Sequence, residues 1–322
     1  MNPPTPSPPP GADPDADPGA PRDPDGPRCG FIAILGAPNV GKSTLLNILV
    51  GAKVSIVSPK VQTTRMRVFG VAIRGRAQLV FIDTPGIFAP RRRLDRAMVR
   101  AAWRGAEDAD AVLLLADASH RNIDEDTRRI IDGLKGAGRQ AILVLNKIDL
   151  MKHEKLLAQA QKYDAEGLFT DVFMISATTG DGVEDLAGAL AARAPEGPWH
   201  FPEDQLSDLP QRLLAAEITR EHLFRQLHQE VPYALTVEPE TWEDFQDGGV
   251  RIGQVIYVER DSQKPIVLGK GGQRIKSVRE AAQAEIQHLL DRKVHLFLHV
   301  TVREKWSEDR SHYQDLGLDY DA

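Results

Sequence analysis

At 322 residues, with 42% hydrophobic and 27% charged residues, the chain has room for two ordinary globular domains. A single cysteine, Cys29, excludes an intrachain disulfide and a multi-cysteine zinc site, and the apolar runs are too short for a transmembrane helix. The net charge of −6 argues, as an average, against a nucleic-acid partner, so charge has to be read region by region.

Residues 1–27, MNPPTPSPPPGADPDADPGAPRDPDGP, hold 11 of the 22 prolines and five Asp against one Arg. Proline removes backbone donors and almost nothing here can pack, so the stretch reads as a solvated, disordered tail. It lacks the basic and apolar regions of a secretory signal, and a cytoplasmic location is expected. From Phe31 short apolar runs alternate with helical patterns. FIAILG, AQLVFIDTPG, DAVLLLADAS, RQAILVLNKID and DVFMISAT read as strands, and their nearly continuous apolar character suits a parallel sheet covered on both faces. KSTLLNILVG, LDRAMVRAAWRGAED, DEDTRRIIDGLKGAG and VEDLAGALAARA carry helical spacing. This alternation predicts right-handed βαβ crossovers and a three-layer α/β domain over 28–197.

PEGPWHFPEDQLSDLP, rich in proline and acidic residues, reads as a linker over 198–210. Beyond it the chain changes style. PQRLLAAEITREHLFRQLHQE has an amphipathic helical pattern, and YALTVEPETWEDF and VRIGQVIYVERD alternate like half-buried strands. LGKGGQRIKSVREAAQAEIQHLL reads as a Gly-rich turn and helix, and KVHLFLHVTVRE as a closing strand. An α+β domain over 211–310, followed by a tail over 311–322, is predicted.

GAPNVGKS at Gly36–Ser43 matches G-x-x-x-x-G-K-[ST] between a predicted strand and a predicted helix, the context that a phosphate-binding loop requires. Closely spaced backbone N–H groups and a helix N-terminus form an anion cradle there. Lys42 reaches the β and γ phosphates and the Ser43 hydroxyl ligates Mg²⁺. NKID at Asn146–Asp149 ends a strand, and the Asp149 carboxylate can accept from N1–H and the exocyclic amine of guanine, which adenine cannot offer. SA at Ser176 and Ala177 lies where backbone amides can support the base. DTPG at Asp83–Gly86 places Asp83 to hold Mg²⁺ through water and the Gly86 N–H to meet the γ phosphate. Thr64, in KVQTTRMRV, adds a hydroxyl to Mg²⁺ while GTP is present, which makes two segments ordered by the γ phosphate. RRRLDR after the second segment reads as a solvated arginine run rather than a contact patch.

In the second domain Gly269, Lys270, Gly271 and Gly272 form a GxxG turn, the device by which KH domains clamp a single-stranded nucleic-acid backbone. Arg274, Lys276 and Arg279 follow on the helix. Residues 262–305 hold nine Lys/Arg against four Asp/Glu, a local excess of positive charge inside an acidic protein.

GAPNVGKS, TT, DTPG, NKID and SA occur in the order of the translation-factor-like GTPase superfamily, which the first domain resembles. Its pairing with GQVIYVERDSQKPIVLGKGGQRIKSVREAAQAEIQHLLDRKVHLFLHVTVREKW is similar to the bacterial Era-type GTPases, from about Gly30 to the C-terminal DLGLDY. The resemblance implies an α/β P-loop GTPase domain followed by an α+β type II KH domain. It implies a slow GTPase that binds the 3′ end of 16S rRNA and assists maturation of the 30S subunit precursor. A monomer with peripheral membrane association is also implied. An alternative is a GTPase of tRNA modification or of membrane-linked cell-cycle control. The implied nucleotide set is Gly36, Ala37, Pro38, Asn39, Val40, Gly41, Lys42, Ser43 and Thr44, with Asp83, Thr84, Pro85, Gly86, Ile87, Asn146, Lys147, Ile148, Asp149, Ser176 and Ala177. Within and beside it Asn39, Lys42, Thr63, Thr64, Asp83 and Gly86 are the catalytic candidates. Ile87 stands where many members carry the glutamine that orients water. In some relatives with an apolar residue there, a phosphate-loop asparagine holds K⁺; Asn39 is the matching residue, and it either does so or braces the loop. Ala37 replaces a frequent arginine, Phe88 a frequent histidine, and the long acidic tail is extra.

Overall fold

The computed structural model describes residues 26–228 and 231–322, so nearly all of the Pro/Asp-rich tail lies outside the described residues. The first domain holds six strands: β1 (Arg28–Gly36), β2 (Val68–Arg74), β3 (Ala77–Asp83), β4 (Ala111–Asp117), β5 (Ala141–Asn146) and β6 (Phe169–Met174). They lie in the order β2-β3-β1-β4-β5-β6, all parallel except β2, which runs antiparallel to β3. Helices α1 (Lys42–Val50), α2 (Arg93–Glu107), α3 (Glu125–Gly136), α4 (His153–Asp164) and α5 (Val183–Arg193) cover the two faces. Two apolar layers result. In one, Ile32, Ile34, Leu113 and Leu115 meet α1 and α5; in the other, Ala33, Leu35, Leu114 and Leu143 meet α2, α3 and α4. β1 sits where the strand order reverses, so the crevice at its carboxyl end is the natural ligand position of an open α/β sheet.

The stretch 198–210, read as a linker, is instead ordered against the sheet. Gln78 accepts from the His200 and Phe201 amides at 2.9 and 3.0 Å and donates to the Phe201 carbonyl at 2.8 Å. The Val71 amide donates to the Leu206 carbonyl at 2.9 Å, which gives the exposed edge of β2 a partner.

The second domain has α6 (Gln211–Gln226), β7 (Leu235–Asp244), β8 (Val250–Val258), α7 (Lys264–Leu268), α8 (Gln273–Leu290) and β9 (Val294–Val302). β8 pairs antiparallel with β7 and parallel with β9. α6 and α8 pack on one face of this sheet through Leu223, Phe224, Val278, Ala282 and Ile286. The predicted C-terminal tail is a packed element too. Helix α9 (Arg310–Asp315) and the residues around it place Trp306, Tyr313 and Leu318 against Leu94, Ala97 and Met98 of α2. The Trp306 indole donates to the Ala234 carbonyl at 3.1 Å, and Asp319 pairs with Arg100 and Arg104.

Candidate functional site

The loop between β1 and α1 takes a path that only glycine allows at two points. Gly41 has φ 102, and a Cβ there would fall 2.3 Å from Asn146 Nδ2; at Gly36 it would fall 2.6 Å from the Leu115 carbonyl. Asn39, at φ 63, is also left-handed. Lys42 opens α1 almost fully buried and donates to the carbonyls of Gly36 and Ala37 at 3.1 and 3.0 Å. Burial pushes its ammonium down to about 8 while Asp83 pulls the other way, so an anion entering the loop stabilises the charged form. Pro38, Asn39, Gly41, Lys42, Ser43, Thr44 and Gly86 line a cavity of about 650 Å³ above the loop. Ala37 and Val40 are buried beneath it.

Three hydroxyls converge on Asp83 at the end of β3. Its Oδ2 accepts from Ser43 at 2.7 Å, from Ser55 at 2.9 Å and from Thr64 at 3.4 Å, and Thr64 Oγ1 lies 2.9 Å from Ser43 Oγ. Asp83 is fully buried, and its Oδ1 has no hydrogen-bond partner among the described residues. Burial raises its pKa against the opposing pull of Lys42 and the three hydroxyls. One orphaned carboxylate oxygen beside two hydroxyls is the hard-oxygen donor set that Mg²⁺ takes together with waters and phosphates, so these residues fit the ion. Ser55 was not legible as part of this cluster. Asn47 of α1 fixes it, accepting from the Val54 and Ser55 amides at 2.9 and 3.0 Å and donating to the Ser55 carbonyl at 2.8 Å.

At the base end Asp149 and Leu150 stand exposed at the cavity mouth, opposite Ala177 and Thr178. Lys147, at φ 66, donates to Asp117 at 2.6 Å, which pins the strand-end turn. Several of the expected ligand residues also make bonds that brace the site. Asn146 donates to the Val40 carbonyl at 2.7 Å and accepts from the Ala177 amide at 2.8 Å, so it bolts the phosphate loop to the base loop. Ser176 is buried; its hydroxyl accepts from Thr179 and its amide donates to Asp181. Thr84 donates to the Ile34 carbonyl at 2.9 Å, and Pro85 is buried. The Ile87 side chain belongs to the apolar layer, while its amide reaches the Gly36 carbonyl at 3.2 Å. The Ile148 amide donates to Ile175 at 3.2 Å. Thr63 borders the cavity, but its hydroxyl is committed to Ser58 and the Lys60 carbonyl, both at 2.7 Å.

The segment 53–66 is held by the second domain along its length. Lys53 pairs with Glu221 of α6 at 2.5 Å and with Glu285 of α8, which also takes His222 at 2.7 Å. The hydrogen bond with His222, followed by that from Lys53, holds the Glu285 carboxyl down to about 2 against the effect of burial. Lys60 donates to the Phe224 carbonyl, and Arg220 to the Thr63 carbonyl. Arg65 is inserted into the second domain, donating to the Leu235 and Pro232 carbonyls at 2.8 and 3.4 Å with the rings of Phe224 and Trp306 on either side. Thr64 and Arg65 therefore point to different domains: one to the Asp83 cluster, the next to the sheet that follows α6.

The Gly-rich turn joins α7 to α8. Gly269, Gly271 and Gly272 have φ of 75, 59 and 76, which bring the backbone to the N-terminus of α8 with little side chain in the way. A Cβ on Gly269 would lie 2.7 Å from Arg274 Cβ, whereas Gly271 and Gly272 face open space. Lys270 is exposed at the tip. Arg274 reaches back to the Ile266 carbonyl, Lys276 lies 4.0 Å from Glu280, and Arg279 lies 3.4 Å from the same carboxylate. Exposed pairs of this kind are weak, so both cations remain available to a phosphate. In the arginine run, Arg91 and Arg92 are exposed as expected, but Arg93 stacks on Tyr320 at 4.4 Å.

Comparison with known proteins agrees with this two-part layout. The family described as 50S ribosome-binding GTPase matches residues 31–147, and the KH domain family matches residues 230–307. GTPase Era of Sinorhizobium medicae is 59% identical over 91% of this chain and 94% of its own length, and GTPase Era of Caulobacter vibrioides is 56% identical over 92% and 98%. Among solved structures, Aquifex aeolicus Era bound to GDP and AlF4⁻ superposes with a TM-score of 0.85 at 38% identity, covering 90% of this chain and 99% of that one. Era in complex with MgGDPNP and nucleotides 1506–1542 of 16S ribosomal RNA gives the same TM-score, identity and coverage. Likeness of this extent across both domains places the chain in the Era family of GTPases.

Proposed function

We propose that the chain is a GTP-hydrolysing switch that binds the 3′ end of 16S rRNA through its KH domain and assists maturation of the 30S subunit. The observation that carries this reading is the adjacency of Thr64, beside the Asp83 cluster, and Arg65, buried in the KH domain. A nucleotide that orders Thr64 therefore acts on a backbone already anchored in the RNA-binding domain. Differential contact with the two nucleotide states is what a switch requires.

The relatives' ligands fit the cavity chemistry described above. The loop amides and Lys42 receive the phosphates, Gly86 closes against Pro38, and Asp149 reads guanine. Ser43 and Thr64 would hold Mg²⁺, with Asp83 behind them; when bound, the ion neutralises charge on the β and γ phosphates. Ile87 is packed into the core and offers no group to orient water, so the surrounding backbone and loop carry that task. Asn39, exposed at the cavity, is the residue of this chain available to a K⁺ ion. Hydrolysis faster in K⁺ than in Na⁺, with the difference lost in Asn39→Ala, supports that role; equal rates assign Asn39 to bracing the loop.

Among the described residues no helix is long and apolar enough to cross a membrane. An RNA partner of this kind places the protein in the cytoplasm, and peripheral attachment to the membrane is the finer location that flotation with anionic vesicles tests. The functional test is crosslinking to ribosomal RNA, with GDPNP or GDP bound, for the natural chain and for Gly271→Asp. The aspartate puts a negative charge and a Cβ at a left-handed position that faces open space, so it adds about 1–2 kcal/mol of backbone strain but no clash, while its charge opposes phosphate contact. Crosslinks at the 3′ end of 16S rRNA that Gly271→Asp abolishes are expected; crosslinks to other RNA overturn the assignment.

A further inference from the structure

We infer that Arg225, on helix α6 of the KH domain, is a binding residue of the nucleotide site and contacts phosphate oxygens of the bound guanine nucleotide. This rests on the nucleotide reading above and adds to it a side chain from the other domain. Arg225 lines the same cavity as Lys42, Ser43 and Asp149, bordering it beside switch residues Val57–Lys60. It is the residue of the second domain that does so among the described lining residues. The Lys60 bond to the Phe224 carbonyl, one residue earlier, fixes this part of α6 against the switch segment, so Arg225 is held at the wall by neighbours.

The Arg225 guanidinium has more donors than its carboxylate partner uses. Arg225 bonds to Glu221, whose side chain has no exposure to solvent. Lys53, at 2.5 Å from Glu221, is shared with Glu285, so Lys53 and Arg225 together balance the two carboxylates. Arg225 is bonded to one carboxylate and its side chain is 51% exposed, so further N–H donors of its planar fork remain for another acceptor. Of the nucleotide groups that this cavity receives, phosphate oxygens are the anionic acceptors, for which a guanidinium has matched geometry. A cation brought to a GTPase site by an appended element has precedent as a principle of phosphate chemistry. Here the appended element is the RNA-binding domain itself, so the nucleotide site is complete only while α6 lies on the switch segment.

The test is the affinity of fluorescent GDP and GDPNP, with Mg²⁺, for the full chain and for Arg225→Ala, Arg225→Lys and Lys53→Met, together with the melting temperature of each. Arg225→Ala is expected to weaken nucleotide binding by about fivefold to tenfold, the range of one half-exposed charged hydrogen bond, and to lower the melting temperature no more than Lys53→Met does. Arg225→Lys should recover part of the loss. Lys53→Met removes the other cation of Glu221 without touching the cavity wall, so it should lower the melting temperature and change nucleotide affinity less than Arg225→Ala does. Affinities of Arg225→Ala within twofold of the natural chain overturn the inference. Equal losses in Arg225→Ala and Lys53→Met also overturn it, because they assign the effect to Glu221. A natural chain that binds neither nucleotide refutes the GTPase reading itself, a separate outcome.

Discussion

Replacing Arg65 tests whether the switch segment is mechanically tied to the KH domain. Its guanidinium donates to Leu235 at 2.8 Å and Pro232 at 3.4 Å and lies 5.8 and 5.4 Å from the rings of Phe224 and Trp306. A charged hydrogen bond contributes about 1.5–3 kcal/mol and a desolvated cation–ring contact roughly 1–2 kcal/mol. Desolvation takes much of this back: burial, with help from the nearby Arg220, pushes the Arg65 pKa down to about 9, and its Nε has no partner among the described residues. Arg65→Ala leaves two carbonyls unpaired and a cavity between Phe224 and Trp306, so a loss of about 2–4 kcal/mol is expected. Arg65→Met fills the same space without the charge and should lose about 1 kcal/mol or less, since a well-packed apolar replacement of a buried charge is often close to neutral. Stability is read by denaturant melts, and coupling by the ratio of RNA affinities with GDPNP and GDP. Arg65→Met should keep most of the stability and lose most of the ratio. A stable Arg65→Met that retains the full ratio refutes the tie.

Three further outcomes follow from the nucleotide and RNA sites. The raised pKa of Asp83 means that its carboxyl stabilises the fold only when protonated, and that contribution is lost as pH rises through the folded value. At neutral pH Asp83→Asn should therefore raise the nucleotide-free melting temperature by about 2–4 °C while slowing Mg²⁺-dependent hydrolysis on the order of a hundredfold; a lower melting temperature contradicts this. Lys42 is depressed to about 8, so its contribution to stability grows as pH climbs from there toward its unfolded value, and a bound phosphate restores the ammonium. Calorimetry of Mg²⁺-free GDP near pH 8 in two buffers should show uptake of about half a proton per site, and heats independent of the buffer exclude it. Gly269→Ala places a Cβ 2.7 Å from Arg274 Cβ at a φ of 75, so the turn must shift. RNA affinity should fall roughly tenfold or more with nucleotide affinity unchanged, and an unchanged RNA affinity refutes the clamp geometry.

Much of the fold is legible in the sequence because its central strands are buried on both faces. β1, β3, β4 and β5 announce themselves as nearly continuous apolar runs, while the edge strand β6 shows only the short DVFM run. β2 is less visible, since VFGVAIR follows the switch segment directly and lies at the edge of the sheet. Among its described side chains α4 buries Leu156, Gln159, Ala160 and Tyr163 from a polar stretch, too faint a stripe to assert a helix. The ordered 198–210 segment is held by Gln78 and by backbone bonds, neither of which leaves an apolar period. Within the site, motif membership identifies the neighbourhood but does not separate residues that face the ligand from those that hold the loops. Asn146, Thr84 and Ser176 belong to the motifs and also tie the loops together; Ser55 lies outside them and reaches Asp83. Arg65 and Leu235 are 170 residues apart in sequence, and local pattern carries no record of such a contact.

The direct test of nucleotide-controlled RNA binding is a titration of a labelled RNA of the 16S 3′ end against the natural chain, saturated in turn with Mg²⁺–GDPNP and with GDP at fixed salt. RNA affinity should differ at least fivefold between the two states, equivalent to about 1 kcal/mol of coupling, and RNA should shift the relative affinity for the two nucleotides by the same factor. Equal RNA affinity in both states, with both nucleotides bound, would contradict it.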